Sequence, residues 1–425
     1  MKHPERLFIL VVGSLWLSLV LIDRLAPLVL PPDMLYFRAW EYVRGQHGYP
    51  RKNLTVTIEN AHGDLSNMMG VSGYKAKRRV QFTVDENGMR NPTDSTVNGS
   101  VFLVGQSFVA GAGNTNTASP RTALEKALER PVYAFAPANM SQLLQELPAI
   151  EKPSAVVWGM VERNMHGGNA EIRTLIRMEC PNEIHKKTAL ITVKDFVKPI
   201  LLEPTTYARL SVVKKFAQRI YNETYFAVRE VPASPHVTLA EKPSLFIFLT
   251  KGVHMATYSS QKRNIDIVQE AIRKTQRCLA QQDITLILLP IPDKVHIYND
   301  LLPSNLQSNL SENPLLELVE TLRKEDIHVV DIISPFTEYA ATHSDLLYWP
   351  DDTHWNPIGI STAMQTVAMY LMKNVEFPHR KVPKQHQDLG NHLGNNLIHS
   401  SYINKKIQDK PRPQEPSNRD GKHHK

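Results

Sequence analysis

Cysteine is nearly absent: the 425 residues hold two, Cys180 and Cys278, far apart and without CxxC spacing. That scarcity excludes a cysteine-built zinc site and a disulfide framework. It leaves two readings for the pair, a single bridge in an oxidising compartment or two buried thiols. Nucleotide signatures are missing too. The stretch VFLVGQSFVAGAG, Val101 to Gly113, has no lysine to reach phosphates, and its glycines do not follow the G-x-G-x-x-G order. The nucleophile elbow G-x-S-x-G also fails, because Val109 stands where its last glycine belongs. Beyond the N-terminal stretch no run is long and apolar enough to span a bilayer. No motif calls for a cofactor. Metal is not expected either, although Asp351, Asp352 and His354 are possible ligands, because no further set at metal spacing joins them.

What the sequence does contain begins with MKHPERLFILVVGSLWLSLVLIDRLAPLVLPP. Lys2 and Arg6 precede an apolar run, Leu7 to Ile22, of about 16 residues, near the short end for a membrane-spanning helix. Basic residues ahead of the run predict a cytoplasmic N-terminus and a body on the far side. No small-x-small site closes the run, so an uncleaved anchor is expected over a removed signal peptide. The formal net charge of +7 is concentrated in the polar segment His379 to Lys425, read as a solvated, disordered tail. The anchor places that tail in the wrong compartment for nucleic acid, so no nucleic-acid partner is expected. A hydrophobic fraction of 42% is enough for a real core.

MLYFRAWEYVRG reads as an amphipathic helix, and VQFTVDENGMRNP as a strand stopped by an Asn-Gly turn. Short apolar strands then alternate with helices. SVFLVGQS, PVYAFAPA, SAVVWGMV, ITLILLPIP and IHVVDII are the strands. PRTALEKALER, MSQLLQELPAI, NIDIVQEAIRKTQRCLAQQ, NPLLELVETLRKED and IGISTAMQTVAMYLMKN are the helices. The rhythm is interrupted from Met165 to about Pro243, where YARLSVVKKFAQRIYNETYF is helical. Such alternation predicts an α/β fold with a parallel sheet covered on both faces. Ligands of such sheets sit outside the carboxyl ends of the strands. The residues to examine are therefore Gln106-Ser107, Pro137 to Asn139, Glu162 to Asn164, Pro292 to Lys294 and Asp351 to Trp355.

Ser107 follows a buried strand among glycines that permit a tight turn. The loop WPDDTHWNPIG, Trp349 to Gly359, supplies a histidine two and three residues after carboxylates. A serine hydroxyl becomes a nucleophile when an imidazole takes its proton and a carboxylate orients that imidazole. The competing reading makes Asp352 a turn residue and His354 a packed histidine. Lys294 and Tyr298 either line the site or form a turn, Trp349 and Trp355 either stack on a ring or pack, and Glu162-Arg163 reads as an ion pair.

Together DENGMRNP, VFLVGQSFVAGAG, LLPIPDKVHIYNDLLP and DDTHWNPIG resemble the SGNH-hydrolase-like proteins of bacterial polysaccharide O-acetylation, the alginate acetyltransferases and their relatives. The resemblance runs from Asp85 to Met372, about two-thirds of the chain. It implies an SGNH-hydrolase-like three-layer sandwich with a mostly parallel sheet, preceded by one N-terminal transmembrane helix. The expected organisation is an anchor at 1–30, an extension at 31–84, the SGNH-like domain at 85–378 with an insertion at about 165–243, and the basic tail at 379–425. Carried over by position, Ser107 is the nucleophile, His354 the general base and Asp352 its orienter, with Asp351 as the alternative. Asn139 and Asn164 are the oxyanion candidates, and Lys294, Tyr298 and Trp355 the substrate-lining candidates. The implied activity is an O-acetyltransferase or acetyl esterase acting on an exported polysaccharide. Its body would lie in the periplasm or outside the cell, on a bacterial inner-membrane anchor. An acetyl-passing integral membrane partner is implied as well. Two departures stand out: Gln106 replaces the usual Asp of the serine motif, and Ser precedes Asp-His where the alginate acetyltransferases have the reverse. The alternative function is a non-catalytic, membrane-anchored scaffold or polysaccharide-binding member of an export complex.

Overall fold

The computed structural model describes residues 4–30, 38, 42–43, 51–95, 97, 100–180, 211–241, 245–256, 263–307 and 314–377. The amphipathic helix expected at Met34 to Gly45 and the basic tail fall largely or wholly outside these residues. One continuous helix, Pro4–Val29, carries the N-terminal apolar run. Its segment Glu5–Asp23 is long and apolar enough to cross a membrane and is not buried against the rest of the protein.

Two strands follow, β1 (Leu54–Ala61) and β2 (Arg78–Val84), paired antiparallel from Leu54 opposite Val84 to Ile58 opposite Val80. A short helix, Asp64–Met69, lies between them. The main sheet is built from β3 (Val101–Gly105), β4 (Val132–Phe135) and β5 (Ala155–Val161). A small antiparallel pair, β6 (Val237–Leu239) with β7 (Ile247–Leu249), intervenes in the chain before β8 (Thr285–Ile291) and β9 (His328–Val329) complete the main sheet. The five strands are all parallel, in the order β4-β3-β5-β8-β9.

Alternate residues of each strand serve opposite faces, which explains the three layers. Val101, Leu103, Val157 and Ile287 pack with Leu124 of helix Pro120–Leu128 and with Ala363, Val367 and Leu371 of helix Pro357–Asn374. Phe102, Val104, Trp158 and Leu288 pack the other way, against Leu143, Ile172, Val268 and Leu318 from helices Met140–Glu146, Ala170–Arg177, Ile265–Ala280 and Pro314–Lys324. Burial on both faces is why β3, β5 and β8 are nearly unbroken apolar runs. Cys180 and Cys278 are joined in a disulfide with Cα atoms 5.1 Å apart, which settles the choice between bridge and free thiols. The edge strand β9 is shorter than IHVVDII suggests. Asp331 accepts the N–H groups of Ile333 and Ser334 at 2.9 and 3.1 Å, and so starts helix Ile333–Thr342.

From β3 the chain goes to β4 on one side and then returns to β5 on the other. The carboxyl ends of β3 and β5 therefore flank a topological switch point, the usual ligand crevice of open α/β sheets. Gly105 and Gly159 are paired in register there. A Cβ on Gly105 would lie 2.6 Å from the Val109 Cγ2 methyl and one on Gly159 2.4 Å from it. Val109 thus occupies the space that the two glycines leave open, and the turn carrying Ser107 is seated on the end of the sheet.

Candidate active site

Ser107 stands half-buried two residues past β3. The loop Trp349–Asn356 reaches it from the other end of the domain. That loop is held by a bridge between Tyr348 and Trp355, by Trp349 N–H donating to the His354 carbonyl at 3.1 Å, and by the Trp355 indole donating to the Phe108 carbonyl at 3.1 Å. His354 Nε2 lies 2.7 Å from Ser107 Oγ, and His354 Nδ1 lies 2.6 Å from Asp352 Oδ1. The same carboxylate oxygen accepts the His354 backbone N–H at 3.1 Å. With Nδ1–H donating to Asp352, Nε2 is left as an acceptor for the serine hydroxyl. His354 and Asp352 are buried, and the Phe108 ring packs 4.7 Å from the imidazole.

Asp351, the alternative orienter, does not reach the imidazole. Its carboxylate takes Arg78 Nη1 at 2.7 Å, Gly63 N–H at 2.8 Å, and Ala76 N–H and Ser66 Oγ at 3.1 Å. Arg78 also donates Nη2 to Asp352 Oδ2 at 2.6 Å, so one buried guanidinium spans both carboxylates. Asp64 completes the arrangement: Oδ1 accepts Thr353 N–H at 2.8 Å and Oδ2 accepts the Thr353 hydroxyl at 2.7 Å. Its own N–H donates to Asp352 Oδ2 at 3.2 Å. Asp64 and Arg78 belong to the stretch before the SGNH-like motifs, and sequence reasoning missed both. No spacing signal points to them, because their partners lie more than 270 residues away.

The charges are unevenly matched. Burial opposes ionisation of Asp352, yet the His354 ring and the Arg78 guanidinium hold its carboxyl well below the usual carboxylate range. Burial and then the Asp352 charge push the Asp64 carboxyl upward. The two neighbouring carboxyls are thus shifted in opposite directions. Ligand atoms of Asp64, Asp352 and His354 lie within 4.8 Å of one another, close enough for a metal ion. Their oxygens are already committed to Thr353, His354, Asp64 N–H and Arg78, and the guanidinium supplies the positive charge a cation would bring. The donor set fits a hydrogen-bonded acid–base chain better than a metal centre.

The expected substrate-lining residues require correction. Lys294 is buried, and its ammonium donates to the carbonyls of Ile247, Trp349, Pro350 and Asp352 at 2.7, 2.8, 2.8 and 3.2 Å. Burial lowers its pKa to about 7 while the three nearby carboxyls oppose that fall. Lys294 ties the Trp349–Asn356 loop to β7. Tyr298 is buried with its hydroxyl accepting Leu347 N–H at 2.9 Å, and Trp355 is fully buried. All three position the loop from within. Glu162 and Arg163 do not pair with each other. Glu162 meets His296 at 3.1 Å and Arg263 at 3.7 Å, while Arg163 bonds Asp293.

Asn139 stands at the head of helix Met140–Glu146, and Gln106 donates its side-chain amide to Asn139 Oδ1. Gln106 therefore links the residue beside Ser107 to the first oxyanion candidate. Asn164 ends the single turn Glu162–Asn164 after β5, and its carbonyl accepts Asn169 Nδ2 at 2.8 Å; among the described residues no bond joins it to Ser107.

Comparison with known proteins follows the same lines. None of the curated proteins matches the chain. A solved structure 12% identical, covering 66% of this chain and 98% of its own, has a TM-score of 0.29, too low to carry any argument. A family model, "SGNH hydrolase-like domain, acetyltransferase AlgX", matches residues 247–405, which include Asp352 and His354 and begin after Ser107. Over that segment the chain is similar to the SGNH hydrolase-like domain of the acetyltransferase AlgX, the family of polysaccharide O-acetylation that its motifs resemble.

Proposed function

We propose that this protein is a serine acyltransferase or acetyl esterase that moves acetyl groups on an exported polysaccharide through Ser107, His354 and Asp352. The observation that supports it most is the unbroken chain Ser107 Oγ–His354 Nε2 and His354 Nδ1–Asp352 Oδ1, at 2.7 and 2.6 Å. In this reading Ser107 Oγ attacks the acyl carbonyl carbon while Nε2 takes the hydroxyl proton. Asp352, kept ionised by Arg78, stabilises the imidazolium. Collapse of the tetrahedral intermediate breaks the bond to the donor oxygen, which leaves with the proton from Nε2. A sugar hydroxyl, or water, then attacks the acyl-serine with Nε2 again as the base, and collapse breaks the bond to Ser107 Oγ, which recovers its proton from Nε2. The Ser107 amide and Asn139, steadied by Gln106, are the proposed oxyanion donors.

The helix at Pro4–Val29 serves in this reading as a membrane anchor with the body outside the cytoplasm. The Cys180–Cys278 bridge supports that placement, because such bonds persist in oxidising compartments. An acetyl donor made in the cytoplasm must then arrive through a membrane-embedded partner.

The test is to incubate the full-length protein with an aryl acetate and follow arylate release together with the mass of the Ser107 peptide. An acetyl adduct on that peptide, lost in Ser107→Ala, is the expected result. Acetylation elsewhere, or arylate release unchanged by the substitution, would refute the assignment.

A further inference from the structure

Helix Val212–Arg229 has two unlike sides. Its inner side meets the body. Glu223 accepts the N–H and hydroxyl of Ser72, Arg219 donates to the Ser72 hydroxyl at 2.7 Å, and Phe226 stands edge-on to Tyr74. Asn222 rests on Gly70, where a Cβ would come within 2.3 Å of its amide nitrogen. The outer side carries Phe216, Ile220, Tyr221 and Val228, with 66%, 52%, 56% and 74% of their surface exposed. At about 100° per residue, these four fall in one arc of about 140°. Single exposed apolar residues are ordinary, but a continuous apolar face signals a partner.

The neighbouring element indicates which partner. Asp23 ends the apolar stretch Glu5–Asp23, and its carboxylate accepts the Ser211 hydroxyl and, at 3.0 Å, the Val213 N–H. The end of the apolar stretch is thus hydrogen-bonded to the start of the amphipathic helix. A bilayer that takes in the first lies against the second. Lys214 stands exposed in the first turn of the amphipathic helix, about 20° beyond that apolar arc, placed to meet anionic headgroups.

We propose that helix Val212–Arg229 lies in the headgroup region of the membrane, with Phe216, Ile220, Tyr221 and Val228 directed toward the acyl chains. This rests on the reading of Pro4–Val29 as an anchor. The functional consequence follows from the inner side. Gly70, under Asn222, donates its N–H to the Ser66 carbonyl at 2.9 Å, and the Ser66 hydroxyl donates to Asp351 at 3.1 Å. The docked helix and the catalytic loop share one short rigid path. The site is held at a set height above the lipid, where a membrane-borne acyl donor can meet it.

The test uses the full chain reconstituted in phosphatidylglycerol–phosphatidylcholine vesicles. Spin labels are attached singly through Ile220→Cys, Val12→Cys and the water-facing Glu86→Cys; the native cysteines are bonded to each other. Collision with oxygen and with a water-soluble nickel chelate reads the surroundings of each label. The expected result is Ile220 and Val12 both favouring oxygen, with Glu86 favouring nickel. Val12 in lipid with Ile220 as open to nickel as Glu86 overturns the docking proposal and leaves the anchor standing. Ile220 shielded from both reagents also overturns it, in favour of a protein cover. Val12 open to nickel overturns the anchor reading and the proposal with it.

Discussion

Asp352 receives the Nδ1 proton of His354 on one oxygen and the Arg78 guanidinium on the other, whereas the Asp64 carboxyl accepts the N–H and hydroxyl of Thr353. The two carboxyls therefore answer differently to the same substitution. Asp352→Asn is expected to lower acetyl-ester turnover by about 10³–10⁴, because an amide no longer fixes the tautomer. Asp64→Asn replaces a carboxyl already pushed toward its neutral form and is expected to keep turnover within about tenfold of the parent. Steady-state kinetics of the two variants check this; equal losses would show that Asp64 works ionised. Their pH signatures also oppose. The folded pKa of Asp352 is depressed, so its stabilisation is complete above the unfolded value of about 3.9 and is lost as pH falls through the folded value. The folded pKa of Asp64 is raised, so its contribution is present below about 3.9 and is lost as pH rises through the folded value. Urea unfolding from pH 3 to pH 7 should show a shallower acid loss in Asp352→Asn than in the parent. That Ser107, His354 and Asp352 meet was legible in sequence, because acyl-transfer chemistry asks for those types just past a strand and in one loop. The spacing alone did not choose between Asp351 and Asp352, since both precede the histidine and it is Gly63, Ser66 and Ala76 that draw Asp351 away. Lys294 was misread for the same reason: its position after β8 is right for a ligand, but its ammonium turns inward.

At the scale of elements, the β1–β2 pair and helix Asp64–Met69 are structural parts of the candidate site rather than a spacer ahead of it. Arg78 opens β2 and is the guanidinium that two buried carboxylates share. Arg78→Gln removes that buried positive charge from between them and is expected to cost about 3–5 kcal/mol in urea unfolding, with turnover falling as well. Strands β3, β5 and β8 were legible because burial on both faces writes itself as unbroken apolar sequence. β1 was not, because its outward residues are polar and its alternation ends at Glu59-Asn60. Helix Ile333–Thr342 was hidden by the apolar IHVVDII run, which looks like strand until Asp331 caps the turn that follows.

For the whole molecule, the bridge between Cys180 and Cys278 closes a separation of 98 residues and ties helix Ile265–Ala280 to the segment after helix Ala170–Arg177. A loop of that length is worth up to about 4.7 kcal/mol in the chain-entropy account. Reductant, or Cys180→Ser, should lower the urea midpoint while sparing turnover, since among the described residues Ser107, His354 and Asp352 bond to neither helix. An unchanged midpoint would remove the bridge from the list of stabilising features. The pairing was not legible from two isolated cysteines, because only the folded chain brings them together.

Ser107 and His354 are 247 positions apart, and Thr353 is 289 from Asp64. A chain made from its N-terminus presents its serine long before its histidine. Until the late loop arrives, the hydroxyl has no base and the early carboxyl no threonine to hold. If the protein works as proposed, it is chemically silent while it is being made, and its first reaction marks the completion of its own folding.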